Sequence, residues 1–243
     1  MRRLIIIILS LLIVLSCKKS DEEENGQPHL KNDTIIAHYM LDGDALDTSG
    51  NSINGILYGN PEITADRTDD PGSALHFDGS DDFISADIGN HDPIAISLWF
   101  AHRNNETGKA YVIFDYGVNA FRGEVDMTSG ATKTYCYIND TSIIEMRSPK
   151  MIYSNDMIWH HLYVDSGSDT INPRMYIDGY YEGMLEEKQS LNIIDNLIYF
   201  GRAGSEAFTN ATYFDGKIDD IRIYNRVLGE NEILSIIDNY SFE

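Results

Sequence analysis

Cysteine is almost absent from these 243 residues, with only Cys17 and Cys136 present. That count excludes a disulfide framework, so a stable core has to come from packing, or from packing with a metal. Basic residues are scarce as well, 18 Lys and Arg against 39 Asp and Glu, for a formal net charge of −21. So large an acidic excess repels phosphate backbones, and no basic patch interleaved with aromatics offsets it, which argues against nucleic acid as a partner. No repeat of the length used by solenoids and propellers runs through the chain. His-Glu-x-x-His, Gly-x-Ser-x-Gly and phosphate-loop signatures are missing too. The apolar run from Leu4 to Leu15, broken only by Ser10, is shorter than the roughly 20 residues that a membrane-spanning helix needs.

What is present at the N-terminus fits export. Arg2 and Arg3, a short apolar stretch and the small Ser16 read as a secretory signal over residues 1–16. "VLSC" resembles the lipobox of bacterial lipoproteins, which implies lipidation at Cys17 and anchoring to outer-membrane lipid. Residues 17–33, "CKKSDEEENGQPHLKND", hold almost nothing apolar and read as a tether unable to bury enough surface to fold. "KKSDEEE" resembles the acidic signal that places lipoproteins of the Bacteroides and Flavobacterium group on the outer face of the outer membrane. A surface-exposed, lipid-anchored protein is the expected location.

Residues 34–243 read as one all-β domain. Short apolar-aromatic runs recur between clusters of Gly, Asn, Asp and Ser, the spacing of a two-sheet sandwich. "IAISLWF" alternates Ile94, Ile96, Leu98 and Phe100 against Ala95, Ser97 and Trp99, the period of a half-buried strand. "IWHHLYV" and "NLIYFGR" are strands of the same kind, and Asp178-Gly179 suits a type I′ hairpin turn. The one helix predicted lies after Gly229, with Glu230 and Glu232 in its first turn and Ile233, Leu234, Ile236 and Ile237 as an apolar stripe.

Four ordered stretches, "HYMLDGDALDTSGNSINGILYG", "ALHFDGSDDFISA", "WHHLYVDSGSDTINPRMYIDGYYEG" and "YFDGKIDDIRIYNRVLGENEI", together resemble bacterial laminin G-like domains of the concanavalin A-like lectin/glucanase type. The resemblance implies an antiparallel jelly-roll β-sandwich whose first and closing strands lie side by side. It leaves function open, because the same sandwich serves lectins, adhesive modules, spacers and glycosidases.

Three groups of residues are candidates for chemistry. "GEVDMTSG" places Glu124 and Asp126 as in the Glu-x-Asp pattern of glucanases of this fold, but Thr128 and Ser129 stand where the proton donor belongs. A double displacement needs two carboxyls roughly 5 Å apart, so the catalytic pair is incomplete and a non-enzymatic role is favoured. Arg122, Glu124 and Asp126 share one strand face, while Tyr135, Tyr137 and Asn139 share another. If the two strands are neighbours, rings beside charged groups make a sugar-binding platform. Adjacent His160 and His161 point to opposite strand faces and cannot chelate one ion unaided.

The third group is acidic. "LDGDALDTSGNSING" offers Asp42, Asp44, Asp47, Asn51 and Asn54, and the resemblance implies a structural Ca²⁺ between this loop and the closing strand. The expected ligands are Asp42, Asp47, Asn54, Asp219 and Asp220, in keeping with the oxygen-rich shell that calcium takes. Asp215-Gly216 reads as the turn entering the last strand. The expected function is a non-catalytic module binding glycan or an extracellular matrix or host protein. A glycoside hydrolase and a structural subunit of an outer-membrane complex are the alternatives.

Overall fold

The structure is a computed structural model, in which residues 34–103, 109–118, 120–126, 133–138, 144–147, 157–204 and 211–238 are described, with backbone alone for Asp126, 133–138, 144–147, 211–212 and Asp238. In chain order the strands are β1 (Ile35–Tyr39), β2 (Ile56–Tyr58), β3 (Glu62–Thr64), β4 (Ala74–Asp78), β5 (Phe83–Asp87) and β6 (Ala95–His102). Next come β7 (Ala110–Tyr116), β8 (Phe121–Asp126), β9 (Lys133–Ile138), β10 (Ile144–Arg147), β11 (His160–Asp165) and β12 (Arg174–Ile177). The described strands close with β13 (Tyr180–Met184), β14 (Leu197–Phe200), β15 (Ala211–Thr212) and β16 (Asp215–Tyr224), followed by α1 (Glu230–Asp238), the one helix among the described residues.

These strands form the two-sheet sandwich expected. The first sheet runs β13-β12-β11-β6-β16-β4-β3, with β1 also on β16; the second runs β10-β9-β8-β7-β14-β5-β2. Every pairing is antiparallel except the short β15 beside β7. Alternation decides which side chains meet between the sheets. Ile96, Leu98 and Phe100 of β6 are fully buried there with Ile218, Ile221 and Ile223 of β16 and Phe114, Ile198 and Phe200 of the second sheet. Asp178 and Gly179 both take positive φ between the paired Ile177 and Tyr180, as a type I′ turn requires.

β16 organises the first sheet. One side follows β6, while the other pairs first with β4 through Ile218 and then with β1 from Ile221. The opening and closing strands are therefore neighbours, as the resemblance implied. Where β16 changes partner the register slips between Asp219 and Arg222, and Asp220 takes φ 47°. Two consecutive acids thus mark a bulge, which tilts both side chains to the outer face. Asp215-Gly216 is not a turn. Both residues are within β16, opposite Asp78 and Phe77, and glycine is needed because a Cβ at 216 would come within 2.2 Å of the Ala101 carbonyl.

Helix α1 starts as Gly229 donates its N–H to Glu232 and accepts at its carbonyl from the N–H groups of Glu232 and Ile233. Ile233 and Ile236 then cover Ala95, Tyr163, Tyr176 and Tyr224 on the outer face of the first sheet. Leu234, expected in the apolar stripe, is instead 38% exposed. Its position one residue beyond Ile233 turns it about 100° around the helix, to the margin of the contact beside the Gly179 turn between β12 and β13.

Candidate functional site

The outer face of the first sheet is charged where α1 leaves it open. Arg67, from the loop after β3, forms an ion pair with Asp219, and its second nitrogen lies 3.7 Å from Asp220. Asp220 is also held by His38 Nε2 at 2.7 Å and by Arg222 Nε at 3.0 Å. The guanidinium of Arg67 rests 4.8 Å from the ring centre of Trp99, which gives the buried cation a π face. Around this cluster is a cavity of roughly 180 Å³ lined by Met40, Asp42, Asp66, Arg67, Asp70, Ser73, Asp219 and Asp220.

Burial drives the two acids apart electrically. Asp219 is pushed up to about 8 by desolvation, which the neighbouring Asp220 reinforces and Arg67 only partly opposes. Desolvation would push Asp220 up as well, but the hydrogen bond from His38 and the charges of Arg222 and Arg67 hold it down at about 2. His161, buried against Ser97 Oγ at 2.9 Å and the Trp99 ring, is pushed down to about 3 by burial. His102 falls to about 4 for the same reason.

A pH dependence follows with a definite sign. Between 3.8 and 8 the native state keeps a proton on Asp219 that the unfolded chain has lost, so this contribution declines as pH rises through about 8. The two buried histidines act oppositely, because the unfolded chain takes up protons below about 6.5 that the native chain refuses. From about pH 7.5 to 8.5 both histidines are almost wholly neutral in either state. Urea melts across that window are expected to show falling stability in the wild type and a flatter profile in Asp219→Asn; parallel profiles would refute the assignment.

The calcium expectation meets a different arrangement. Asp47 accepts from the N–H groups of His38, Ser49 and Ile53 and from the Ser49 hydroxyl, so both its oxygens serve the loop. Asn54 Oδ1 accepts from the N–H of Asp47. Asp219 and Asp220 face Arg67 and Arg222, which supply the countercharge that calcium was expected to supply, and His38 adds a hydrogen bond to Asp220. Only Asp42 stands in the cavity without such a role. The set does not fit the six to eight oxygens of a calcium shell. Among the described residues, three ligating side chains converge only at Asp78, Asp81 and Asp82, where Asp82 accepts from the N–H groups of Asn60 and Asp78.

The His-His pair is structural in place. His160 Nδ1 lies 2.9 Å from Asp178, whose other oxygen accepts from the His161 N–H. Further along β11, buried Asp165 pairs with Arg174 at 2.8 Å and accepts from the Tyr163 hydroxyl. That hydroxyl in turn accepts the N–H of Leu228, and Arg174 donates to the Leu228 carbonyl, so one network secures the entry to α1.

The outer face of the second sheet has another character. The register lines up Ile56, Ser85, Tyr199, Asp115, Arg122, Tyr137 and Glu145 in one row across seven strands. A parallel row carries Glu124, Tyr135 and Arg147. The expected adjacency of the Arg122–Glu124 strand with the Tyr135–Tyr137 strand is therefore present, with Glu124 opposite Tyr135 and Arg122 opposite Tyr137. Arg122 and Glu124 are an ion pair at 3.3 Å, both buried, beside fully buried Asp115, which accepts the Gly204 N–H. Asp126 lies at the strand end opposite Lys133. Asn139 and Cys17 are outside the described residues.

Next to this buried row is an aromatic shelf. Tyr58 stacks on Phe83 with ring centres 4.3 Å apart and planes within 3°, and Tyr199 and Tyr213 each approach Phe83 at 6.3 Å. Arg202 lies over three of these rings, 4.8 Å from Phe83, 5.5 Å from Tyr199 and 5.8 Å from Tyr213. None of the five residues stands out in the sequence, since they come from four separated segments. Alternation was the available signal: Tyr199 between core Ile198 and Phe200, and Phe83 one residue before core Ile84, had to face outward.

The two antiparallel sheets with one C-terminal helix have the arrangement of a concanavalin A-like sandwich, and the comparisons agree on the fold. Residues 77–234 match the family described as the concanavalin A-like lectin/glucanases superfamily, and the chain belongs to it. Among curated proteins no sequence matches. Domain 4 of AbnA, a GH43 extracellular arabinanase from Geobacillus stearothermophilus solved in complex with arabinotriose, is similar at TM-score 0.61 and 19% identity, over 84% of this chain and 98% of that one. The binding domain of Paraclostridial Mosquitocidal Protein 1 reaches TM-score 0.66 and 19% identity over 86% of this chain and 53% of that one. Botulinum neurotoxin type C, whose cell entry depends upon interaction with two ganglioside molecules, gives 0.63 and 16% over 87% and 52%. This chain thus spans about half the length of the toxin chains it matches. At these identities the likeness establishes the fold alone.

Proposed function

We propose that this protein is a non-catalytic, surface-anchored binding module that holds glycan on the outer face of its second sheet. The supporting observation is the shelf of Tyr58, Phe83, Tyr199 and Tyr213 beside the buried row Asp115, Arg122 and Glu124. Flat rings take the apolar face of a pyranose, and the buried charged row beneath holds the strand that carries them in place. Neighbouring folds include one solved with arabinotriose, which supports a saccharide as ligand class. Glu124 is buried and committed to Arg122 within the sheet, which disfavours a proton-transfer role.

A glycan array is the direct test. Tyr58→Ala and Tyr199→Ala are each expected to lower the affinity for any bound glycan about tenfold, roughly the 1.4 kcal/mol of one lost ring contact. Tyr58 is exposed, so its removal leaves the melting temperature nearly unchanged. Unaltered binding in both variants would reject the shelf, and reducing sugar released by the wild type but not by Glu124→Gln would favour the hydrolase reading.

The anchor is proposed on the lipobox-like "VLSC" and the acidic run after it. Expressed in a lipoprotein-processing host, the wild type is expected to take up labelled palmitate and remain with the membrane, and Cys17→Ser to lose both. Equal labelling of the two would defeat this. A protein partner is the second reading, favoured by β13 at the end of the first sheet, where Tyr181 and Met184 are more than half exposed.

A further inference from the structure

The one arginine of the shelf differs from the others. Arg67, Arg103, Arg122, Arg174, Arg222 and Arg226 each lie within ion-pair distance of a carboxylate. Arg202 has none among the described residues, although acids outnumber bases 39 to 18 in the chain. Its guanidinium is surrounded by the rings of Phe83, Tyr199 and Tyr213 instead. Nε donates to the Ala203 carbonyl at 2.8 Å, which fixes the plane of the fork. The terminal nitrogens are left as donors in a half-buried setting against Phe83, the ring on which the exposed Tyr58 stacks.

We propose that Arg202 and the rings around it form a subsite for a carboxylated sugar, a uronic or sialic acid residue carried on an otherwise neutral glycan. The inference rests on the glycan reading above and names its ligand class. A guanidinium with one edge fixed matches the two oxygens of a carboxylate in a bidentate pair, and rings on its other sides keep competing water away. The stacked Tyr58 and Phe83 supply a flat surface for the sugar ring that bears the acid. Net charge limits the class: at −21 the protein repels dense polyanions, so an isolated carboxylate is admitted where a polysulfated chain is not.

The test uses paired ligands and the full chain. Titration calorimetry compares a glucuronate-terminated xylo-oligosaccharide, and separately the methyl glycoside of N-acetylneuraminic acid, with their carboxyl-reduced counterparts. The wild type is expected to prefer at least one acid over its reduced form about tenfold. Arg202→Gln is expected to abolish that preference while keeping the weaker neutral binding, and Arg202→Lys to retain part of it. Thermal melts of both variants show that the shelf still stands. Equal affinity for acid and reduced forms in the wild type, with loss of both in Tyr58→Ala, would overturn the subsite and leave glycan binding in place. Binding to an acidic peptide but to no saccharide would overturn both.

Discussion

Arg67→Met is expected to destabilise the fold by about 3–5 kcal/mol at pH 8.5, the cost of leaving one member of a buried ion pair without its partner. Arg67, Asp219 and Asp220 each expose 6% or less of their side chains, so water cannot take over the role of the guanidinium. Methionine retains much of the stem volume against Trp99, which confines the loss to the charge. The effect should shrink by pH 5, because there Asp219 is protonated and the deleted cation has one acid fewer to compensate. Adding Asp219→Asn to the variant should recover at least half of the loss at pH 8.5. Equal urea midpoints for wild type and Arg67→Met at pH 8.5 would show that the cluster is not held by this cation. A chelator arm belongs in the same experiment, since the chain's own cations neutralise these acids: the wild-type melting temperature is expected to stay put with EDTA.

Arg174→Met should cost a similar amount, about 3–5 kcal/mol, and the damage should be felt in α1. Asp165 is fully buried, and burial already raises its pKa against the pull of Arg174. Losing that partner leaves the carboxylate with the Tyr163 hydroxyl and two N–H groups, and deprives the Leu228 carbonyl of its donor just ahead of the helix. Hydrogen exchange is therefore expected to accelerate first at the amides of α1, ahead of β6 and β16. Pairing the change with Asp165→Asn should return part of the stability, because a neutral amide needs no countercharge. Uniform acceleration through both sheets would assign the loss to the core rather than to the helix entry.

The fold was legible because alternation is a local property. Ile94, Ile96, Leu98 and Phe100 declare a core-facing strand without knowledge of any partner, and each is fully buried. The bulge at Asp219 was legible too, since two acids in succession within an apolar strand cannot both face water in regular β-structure. Its partners were not. Arg67 comes from a loop 152 residues away and His38 from the opening strand, and nothing in periodicity joins them. The same limit hid the aromatic shelf, where Tyr58, Phe83, Tyr199 and Tyr213 meet only after β2, β5 and β14 take adjacent places. Adjacency of the Arg122 and Tyr135 strands was foreseeable because the two follow one another in the sequence.

Entry of the chain beside β16 has a mechanical consequence. Thr34 accepts the N–H of Asn225, and β1 then runs antiparallel to β16 through Tyr39↔Ile221, cross-linked by His38 to Asp220. Tension arriving through the residues before Thr34 and directed along the strand axis would load that ladder in shear, with its bonds sharing the force at once instead of peeling open one by one. The strand that receives the pull is riveted to β16, the longest in the domain, which β6 grips from the other side. Load therefore enters one layer of the sandwich while the ring shelf occupies the other, so a module held at its N-terminus could be pulled without its binding face carrying the strain.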